Sequence, residues 1–328
     1  MWEVPMQITH PELLDLYRCM RTIRAFELKL EELVTGGRMG GFLHLYVGQE
    51  AVAVGVCREL RETDLVASTH RPHGHLIAKG LDLTRLLAEL FGRAAGYCKG
   101  KGGSMHIADL DKGMLGANGV VGAGIPLATG AALSAKLRRT GAVTIAFLGE
   151  GASNQGMFHE SLNMAANWKL PIVYVVEHNG WGEFTPAEHV LPVKDVAVRA
   201  ASYAMPSAIA DGMDVLDVAE KAREAIARAR EGLGPTLLEC KTYRFHGHFI
   251  GDPVRYRSKA ETERWVQTRD PLVLLERRAT EAGVASAELR AVDAAIEHEL
   301  LAAVAAAEAA PPPDLAEITA DVYAGGAS

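Results

Sequence analysis

Two apolar runs of the sequence end near polar residues whose side chains could bind a metal ion. Residues 144–148 form an apolar run that stops at the tripeptide GEG, and the run over residues 172–176 is soon followed by HNG. Glu150 and Asn179, within these tripeptides, offer the hard oxygen ligands that Mg²⁺ prefers. Glycines on both sides of Glu150 allow a tight backbone turn and leave space for a bulky ligand.

The spacing predicts that Glu150 and Asn179 face the same place. A strand, a turn, a helix and a second strand form a right-handed crossover, so both strands end at one edge of a parallel sheet. Neighbouring strands would bring the two ends to about 5 Å, and one intervening strand would double that distance. Ligands of open α/β sheets bind at this edge, and the N-terminus of the intervening helix suits a phosphate. The pattern favours a metal-bound diphosphate, although GEG and Asn-Gly are also ordinary turn sequences.

Strands that alternate with helices predict an α/β fold with a mostly parallel sheet and helices on both faces. Strands are predicted over 65–69, 143–148, 172–176 and 236–245. Helices are predicted over 10–34, 48–60, 126–138, 155–168, 215–232, 271–283 and 286–310, and loops over 70–75 and 92–119. We expect residues 1–328 to form a single domain, with a helical N-terminal region over 10–60 and C-terminal helices and a tail over 270–328.

The composition is that of an ordinary globular protein, because 48% of the 328 residues are apolar and 23% are charged. The net charge of −7 gives no support for nucleic-acid binding. The four cysteines are scattered without a C-x-x-C pair, which favours reduced cysteines in a cytoplasmic protein over a disulfide framework or a zinc site. The N-terminus lacks a signal-peptide pattern, and the most apolar stretch, over 120–135, is short for a membrane span.

Several longer motifs resemble the α subunits of thiamine-diphosphate-dependent 2-oxo acid dehydrogenases. The thiamine-diphosphate motif of that family is G-D-G, some twenty-six residues and N-N, and here it reads GEG, residues 152–177 and HN. The other similar segments are FLHLYVGQEAVAVG (42–55), HRPHGHLIAKG (70–80), GKGGSMHIAD (100–109), GMLGANGVVGAGIPLATGAAL (113–133) and YRFHGHFIGDP (243–253). The resemblance covers nearly the whole chain in order, and within the family it is strongest to acetoin dehydrogenase α subunits.

The resemblance implies a thiamine-diphosphate-binding fold and gives roles to residues at matching positions. For Mg²⁺ it implies the side chains of Glu150 and Asn179 and the backbone carbonyl of Trp181. For the diphosphate it implies Gly149, Gly151, Ala152, Ser153, Arg71, Arg244 and, where a tyrosine is usual, His70. For the cofactor rings it implies Gly119 and Val121, and for proton transfer at the reacting centre His248, with His246 and His44 as close alternatives.

The family cleaves a carbon–carbon bond next to a carbonyl and passes the acyl group to a lipoyl arm on a partner acyltransferase. The resemblance therefore implies an oxidoreductase that acts with thiamine diphosphate and Mg²⁺ on a small carbonyl substrate. It also implies an α2β2 heterotetramer in which the β subunit supplies the carboxylate that activates the cofactor, so this chain should be inactive alone. The small residues of the helix over 126–138 fit either a tight subunit contact or close packing inside the domain.

Three departures from the family pattern fall at the cofactor site. Glu150 stands where the family has aspartate, His178 replaces the first asparagine, and GWGEF (180–184) replaces a segment usually closer to LYGMS. Three hypotheses follow. The chain is an acetoin dehydrogenase-like α subunit with an adjusted metal site, or a related carboligase or dehydrogenase with another substrate, such as a pyruvate or branched-chain 2-oxo acid dehydrogenase α subunit. The third is a non-catalytic paralogue that is a scaffold for a β subunit.

Overall fold

The computed structural model describes residues 8–322, which form a mixed set of helices and strands. The helices are α1 (His10–Thr35), α2 (Glu50–Cys57), α3 (His73–Ala78), α4 (Leu83–Leu90), α5 (Gly124–Arg138), α6 (Gly156–Asn167), α7 (Ala187–Val190), α8 (Val215–Arg230), α9 (Lys259–Arg269), α10 (Pro271–Glu281) and α11 (Ser286–Ala309). The strands are β1 (Leu65–Ala67), β2 (Met114–Gly116), β3 (Thr144–Gly149), β4 (Ile172–His178), β5 (Trp181–Gly182), β6 (Thr185–Pro186), β7 (Ser207–Asp211) and β8 (Thr236–Lys241).

Six of these strands form a parallel sheet in the order β2-β1-β3-β4-β8-β7. β3 and β4 are direct neighbours, with Gly149 opposite Glu177 at their carboxyl ends. The strands that lead to Glu150 and Asn179 therefore have no strand between them, which is the shorter of the two predicted spacings. The short β5 and β6 form a separate antiparallel pair just after β4.

Helices cover both faces of the sheet, as predicted. Successive residues of β3 point into different cores: Ile145 and Phe147 pack into one core, and Ala146 and Leu148 into the other. The first core includes buried residues of α1, α2 and α8, and the second includes buried residues of α5 and α6. Because both faces are buried, β3 and β4 are continuous apolar runs rather than alternating ones.

Helices at the two ends of the chain pack together beside the sheet, which confirms the predicted extensions. Asp270 accepts a hydrogen bond from the Leu272 N–H and caps α10, whose first residue is a proline. Arg24 of α1 contacts the carboxylates of Glu50 and Asp270 at 2.5 and 3.0 Å, and so connects α1 to α2 and α10.

The structure corrects several sequence predictions. Residues 73–75, within the predicted loop over 70–75, begin α3, and the predicted loop over 92–119 contains strand β2. Helices α4 and α9 and strand β7 were not predicted at all. The missed elements are short or lack a regular apolar pattern, and α9 buries none of its residues.

Within residues 8–322, every helix is too short or too polar to span a lipid bilayer. The signal-peptide prediction depends partly on residues 1–7, which lie outside the described residues, as does the end of the tail over 323–328.

A candidate cofactor site at the carboxyl edge of the sheet

Glu150 and Asn179 meet where β3 and β4 end. Glu150 opens a short 3₁₀ turn directly after β3 and is 1% exposed. The backbone N–H of Asn179 donates to Glu150 Oε2 at 3.2 Å. The side-chain oxygen of Asn179 accepts from the Trp181 N–H at 3.1 Å, so all three residues surround one point.

One oxygen of the buried Glu150 carboxylate lacks a hydrogen-bond partner at this point among the described residues. This oxygen, Oε1, is itself buried. Burial raises the pKa of Glu150 to about 7, although the backbone N–H groups that it accepts from lower it. A buried polar atom without a partner calls for an explanation, and a cation bound beside Oε1 would supply the missing contact.

A cavity of about 600 Å³ opens beside Glu150, which is large enough for a cofactor. Its wall is built from the carboxyl ends of β3 and β4, the start of α5, the turn before α3 and the segment that follows β8. The predicted site residues that line it are His44, His70, Arg71, Gly119, Val121, Gly149, Glu150, Gly151, Ala152, Asn179, Trp181, Arg244 and His248.

Two buried arginines in the cavity wall have no carboxylate partner among the described residues. Arg71 donates to the carbonyl oxygens of Leu45 at 2.5 Å and His248 at 3.0 Å. Arg244 donates to the carbonyl oxygen of Glu183 and the hydroxyl of Tyr256, both at 3.0 Å. Burial and the nearby Arg244 lower the pKa of Arg71 to about 9. Buried positive charge of this kind suits an anion such as a phosphate, which guanidinium groups bind well.

Three histidines pack together in the same wall. The ring of His44 lies 4.7 Å from that of His70 and 4.9 Å from that of His248, centre to centre. Burial, with a contribution from Arg71, lowers the pKa values of His44, His70 and His248 to about 3, 2 and 4. All three are therefore neutral at physiological pH.

These histidines could hold a metal ion on distance alone, because their ligand atoms lie within 4.8 Å of one another. Their electrostatic surroundings argue against this, since Arg71 and Arg244 make the region positive. A field that disfavours a protonated imidazole disfavours a divalent cation more strongly. The cluster is better suited to exchanging hydrogen bonds with an anion or a neutral substrate.

Two predicted site residues lie elsewhere. His246 is directed towards α1, where its Nδ1 lies 3.1 Å from Glu31 Oε1, so it is removed from the candidate proton-transfer group. Ser153 is fully buried behind the turn, and its hydroxyl donates to the Glu150 carbonyl oxygen at 2.6 Å. It stabilises the turn from behind rather than lining the cavity.

One of the three departures also lies outside the cavity. Successive residues of a strand point in opposite directions, and His178 lines a separate surface groove with Lys241 and Asp195. The presence of His178 where the family has asparagine therefore leaves the cavity wall unchanged. The other two departures, Glu150 and the segment over 181–183, are part of the cavity wall.

Sequence reasoning missed several buried polar residues in the wall, among them Gln49 and Glu177. Gln49 Oε1 accepts from the Asn179 side-chain amide at 2.9 Å. Glu177 accepts a hydrogen bond from the Tyr46 hydroxyl and lies 3.2 Å from His75 Nε2. The only available signal was the presence of these residues next to apolar runs, which does not indicate where their side chains point.

The fold and the cavity define a class: an α/β protein with a candidate site, at the carboxyl ends of its strands, for an anionic cofactor and a cation. The dehydrogenase E1 component family matches residues 18–316. The chain is 49% identical to the α subunit of acetoin:2,6-dichlorophenolindophenol oxidoreductase of Bacillus subtilis (strain 168), over 97% of this chain and 95% of that protein. It is 50% identical to the protein of the same name of Cupriavidus necator, over 95% and 94%.

A pyruvate dehydrogenase E1 component α subunit, from Zymomonas mobilis, is 42% identical over 96% of this chain and 89% of that protein. The chain belongs to the family of dehydrogenase E1 components, as its motifs predict. This membership makes it a component of a thiamine-diphosphate-dependent oxidoreductase.

Proposed function

We propose that this chain is the α subunit of an acetoin dehydrogenase-like enzyme that acts with thiamine diphosphate and Mg²⁺. The observation that carries the proposal is the set of unpaired charges in one cavity: the Glu150 carboxylate on one side and the Arg71 and Arg244 guanidinium groups on the other. Such a pair of opposite, separated charges fits a divalent cation bound to a diphosphate. When bound, the cofactor supplies the carbon nucleophile that attacks a substrate carbonyl.

The residues around Glu150 would hold the cation. Glu150 and Asn179 offer side-chain oxygens, and the Trp181 backbone offers a carbonyl oxygen. Magnesium usually takes only a few ligands from protein and the rest from phosphate and water, so three protein oxygens are sufficient. Glu150 Oε1 lies at this point without a hydrogen-bond partner in the described part of the chain. This supports the proposal that the glutamate binds the cation although the family has the shorter aspartate here.

The remaining cavity residues would hold the organic part of the cofactor. Arg71, Arg244 and the turn over 149–152 would bind the diphosphate, with His70 beside them. Gly119 and Val121 would contact the rings, because both lie in the wall contributed by the segment before α5.

His44 and His248 are the proposed proton-transfer residues. Both are neutral and line the cavity, and His44 Nδ1 is buried without a partner among the described residues. A bound anionic cofactor would offset the charges of Arg71 and Arg244 and raise the lowered pKa values of both imidazoles towards the range of a general acid–base catalyst.

The proposed assembly is a heterotetramer with a β subunit, which passes its acyl product to a lipoyl-bearing acyltransferase in the cytoplasm. Exposed apolar side chains at the cavity rim support the proposal that a β subunit covers the cavity. They are Phe42, Val120, Val121 and Phe184, which are 52, 64, 51 and 45% exposed. Exposed apolar groups around a site favour a protein contact there. We further propose that residues 1–328 act as one domain.

Acetoin is the proposed substrate, because two relatives whose names include it are 49 and 50% identical to this chain. Pyruvate is the second candidate, supported by relatives that are 42–43% identical.

The test is dye reduction by the chain co-expressed with its β subunit. We expect acetoin to reduce 2,6-dichlorophenolindophenol only when thiamine diphosphate and Mg²⁺ are both present, and neither subunit to act alone. Reduction with pyruvate but not acetoin would overturn the substrate assignment. A stable complex that takes up no cofactor would support the scaffold hypothesis and overturn the proposed function.

A further inference from the structure

Gln49 occupies the N-cap position of α2 but does not cap it. Its side chain makes no hydrogen bond to the first turn of α2. The residue is 1% exposed and instead lines the cavity, where Oε1 accepts from Asn179 Nδ2 at 2.9 Å. A buried amide that does not cap its own helix therefore contacts Asn179, the residue that directly follows β4.

This contact and a second one from the Trp181 backbone together fix the orientation of the Asn179 amide. An amide oxygen can only accept a hydrogen bond, so Gln49 Oε1 selects the NH₂ end of the Asn179 amide. The Asn179 oxygen must then lie on the opposite side, where it accepts from the Trp181 N–H. The Asn179 backbone N–H reaches Glu150 Oε2 in the same region. The contact with Gln49 thus reinforces, from the opposite side, the orientation of Asn179 that the Trp181 N–H requires beside Glu150.

The backbone that carries Gln49 is held firmly. Gly48 has a φ of +99°, and a Cβ at this position would lie 2.4 Å from the Tyr243 carbonyl oxygen, so only glycine fits. The Thr242 hydroxyl donates to the Gly48 carbonyl oxygen at 3.2 Å, and the Thr242 N–H donates to the His178 carbonyl oxygen at 2.9 Å. The start of α2 is thereby docked onto the segment that follows β8, which is in turn bonded to the last residue of β4.

A buried ion pair holds the same turn from the other side. Glu50 is completely buried, contacts Arg24 at 2.5 Å and accepts from the Gly48 N–H at 3.0 Å. Gln49 lies between these two attachments, so its side chain is presented from a rigid support. Groups that orient a metal ligand typically change metal affinity by about 10- to 100-fold when they are removed.

We propose that Gln49 is a positioning residue for the cation site: by holding the NH₂ end of the Asn179 amide, it presents the Asn179 oxygen to Mg²⁺ beside Glu150. This inference rests on the proposed function, because it requires that Mg²⁺ and thiamine diphosphate bind in the cavity. Gln49 itself contacts Asn179 and need not contact the cation.

The test compares two substitutions in the complex of this chain with its β subunit. Gln49→Met keeps the length and shape of the side chain but removes the amide oxygen, and Gln49→Glu keeps an acceptor for the Asn179 NH₂. Gln155→Leu is a matched control, because Gln155 also precedes a helix without capping it, and it is exposed. Mg²⁺ is titrated at a saturating thiamine diphosphate concentration, with cofactor binding followed by calorimetry and by tryptophan fluorescence.

We expect Gln49→Met to raise the Mg²⁺ concentration for half-saturation at least about tenfold, and Gln49→Glu and the control to leave it near that of the unchanged chain. Thermal unfolding of each variant separates this effect from loss of the fold, and Gln49→Leu replaces Gln49→Met if the latter does not fold. Unchanged Mg²⁺ affinity in Gln49→Met, or equal losses in Gln49→Met and Gln49→Glu, would overturn the positioning role alone. Absence of Mg²⁺-dependent cofactor binding in the unchanged chain would instead overturn the proposed function and, with it, this inference.

Discussion

At the residue scale, the charge state of Glu150 connects the fold to the proposed chemistry. Its carboxylate is buried at the end of β3, and burial raises its pKa to about 7 from the ordinary 4.5. Without a cation, ionisation of this group opposes folding, because the unfolded chain ionises it in water more readily. A cation would reverse this cost, so the same burial that destabilises the metal-free chain favours cation binding.

This energetic cost predicts a pH-dependent stability difference. The raised pKa means that the Glu150 contribution is fully present below about pH 4.5 and is lost as the pH rises through about 7. In the metal-free chain, Glu150→Gln should therefore gain stability relative to the unchanged chain between pH 5 and 8, by about 3 kcal/mol. Denaturant unfolding in the presence of a chelator measures it. The prediction would be contradicted if the difference in unfolding free energy between Glu150→Gln and the unchanged chain were the same at about pH 5 and at about pH 8.

Arg71 gives a second residue-scale prediction. Arg71→Met removes a buried positive charge that has no carboxylate partner among the described residues. A hydrogen bond to a charged group contributes about 1.5–3 kcal/mol, so the dissociation constant for thiamine diphosphate should rise about tenfold to a hundredfold.

The control for Arg71 is Arg255→Met, because Arg255 is exposed and does not line the cavity. Calorimetric titration of the two variants with thiamine diphosphate and Mg²⁺ makes the comparison. Equal affinities in the two variants would remove Arg71 from the diphosphate site.

The sequence could predict part of the site at this scale. Glu150 and Asn179 follow consecutive apolar runs, so local pattern and the rules of parallel sheets bring them together. The histidine cluster is different, since His44, His70 and His248 come from distant segments and only the family resemblance groups them. The contact of Gln49 with Asn179 depends on how α2 docks against the sheet, which no local pattern encodes.

At the element scale, a glycine-rich loop is folded around one carboxylate. Glu89 of α4 is 1% exposed, and its two oxygens accept from the backbone N–H groups of Cys98, Gly100, Gly102 and Gly103 at 2.7–3.0 Å. The loop leads to Ser104, whose hydroxyl contacts His73 at 2.9 Å, and to Met105 in the cavity wall. Glu89 therefore orders a wall of the site from outside it.

Glu89→Gln should loosen this loop. The amide keeps one oxygen acceptor but loses the charge and the second acceptor, so partly buried N–H groups lose their partners. We expect the unfolding free energy to fall by about 3 kcal/mol and amide exchange over 98–103 to become faster. Glu62→Gln, at an exposed position, is the control. If amide exchange over 98–103 were as slow in Glu89→Gln as in Glu62→Gln, the proposed role of Glu89 in ordering the loop would be wrong.

The elements that sequence analysis predicted share a strong burial pattern. The strands β3 and β4 are continuous apolar runs, and α1, α10 and α11 have regular apolar spacing or clear caps. Two of the missed elements, β7 and α9, lack this information, whereas the short α4 has both regular leucine spacing and a capping Asp82. β7 is an edge strand with only one fully buried residue, and α9 has none, so tertiary contacts rather than local pattern determine them.

At the whole-molecule scale, the small-residue face of α5 is open at Gly130, although Ala135 on the same face is buried. Gly130 is exposed, and a Cβ added there would meet no atom within 4 Å, so the glycine does not serve close packing inside this chain. Leu127, one turn earlier on the same helix, is 57% exposed. Of the two explanations that the sequence leaves open, these observations favour a subunit contact.

Gly130→Leu tests this explanation. The isolated chain should keep or raise its melting temperature, because leucine favours a helix by about 1 kcal/mol relative to glycine. Assembly with the β subunit, measured by light scattering, should weaken because the larger side chain prevents close approach. Ala305→Leu on the exposed face of α11 is the control. Assembly that is unchanged in both variants would exclude α5 from the interface.

The most direct test of the whole account is the Mg²⁺ dependence of thiamine diphosphate binding by the assembled complex, measured by calorimetry for three forms of residue 150. The unchanged chain should bind the cofactor only with Mg²⁺, Glu150→Asp should preserve or raise the affinity, and Glu150→Ala should lower it. Binding that is independent of Mg²⁺, or that Glu150→Ala leaves unchanged, would contradict the claim that the ends of β3 and β4 bind a cation that holds the cofactor.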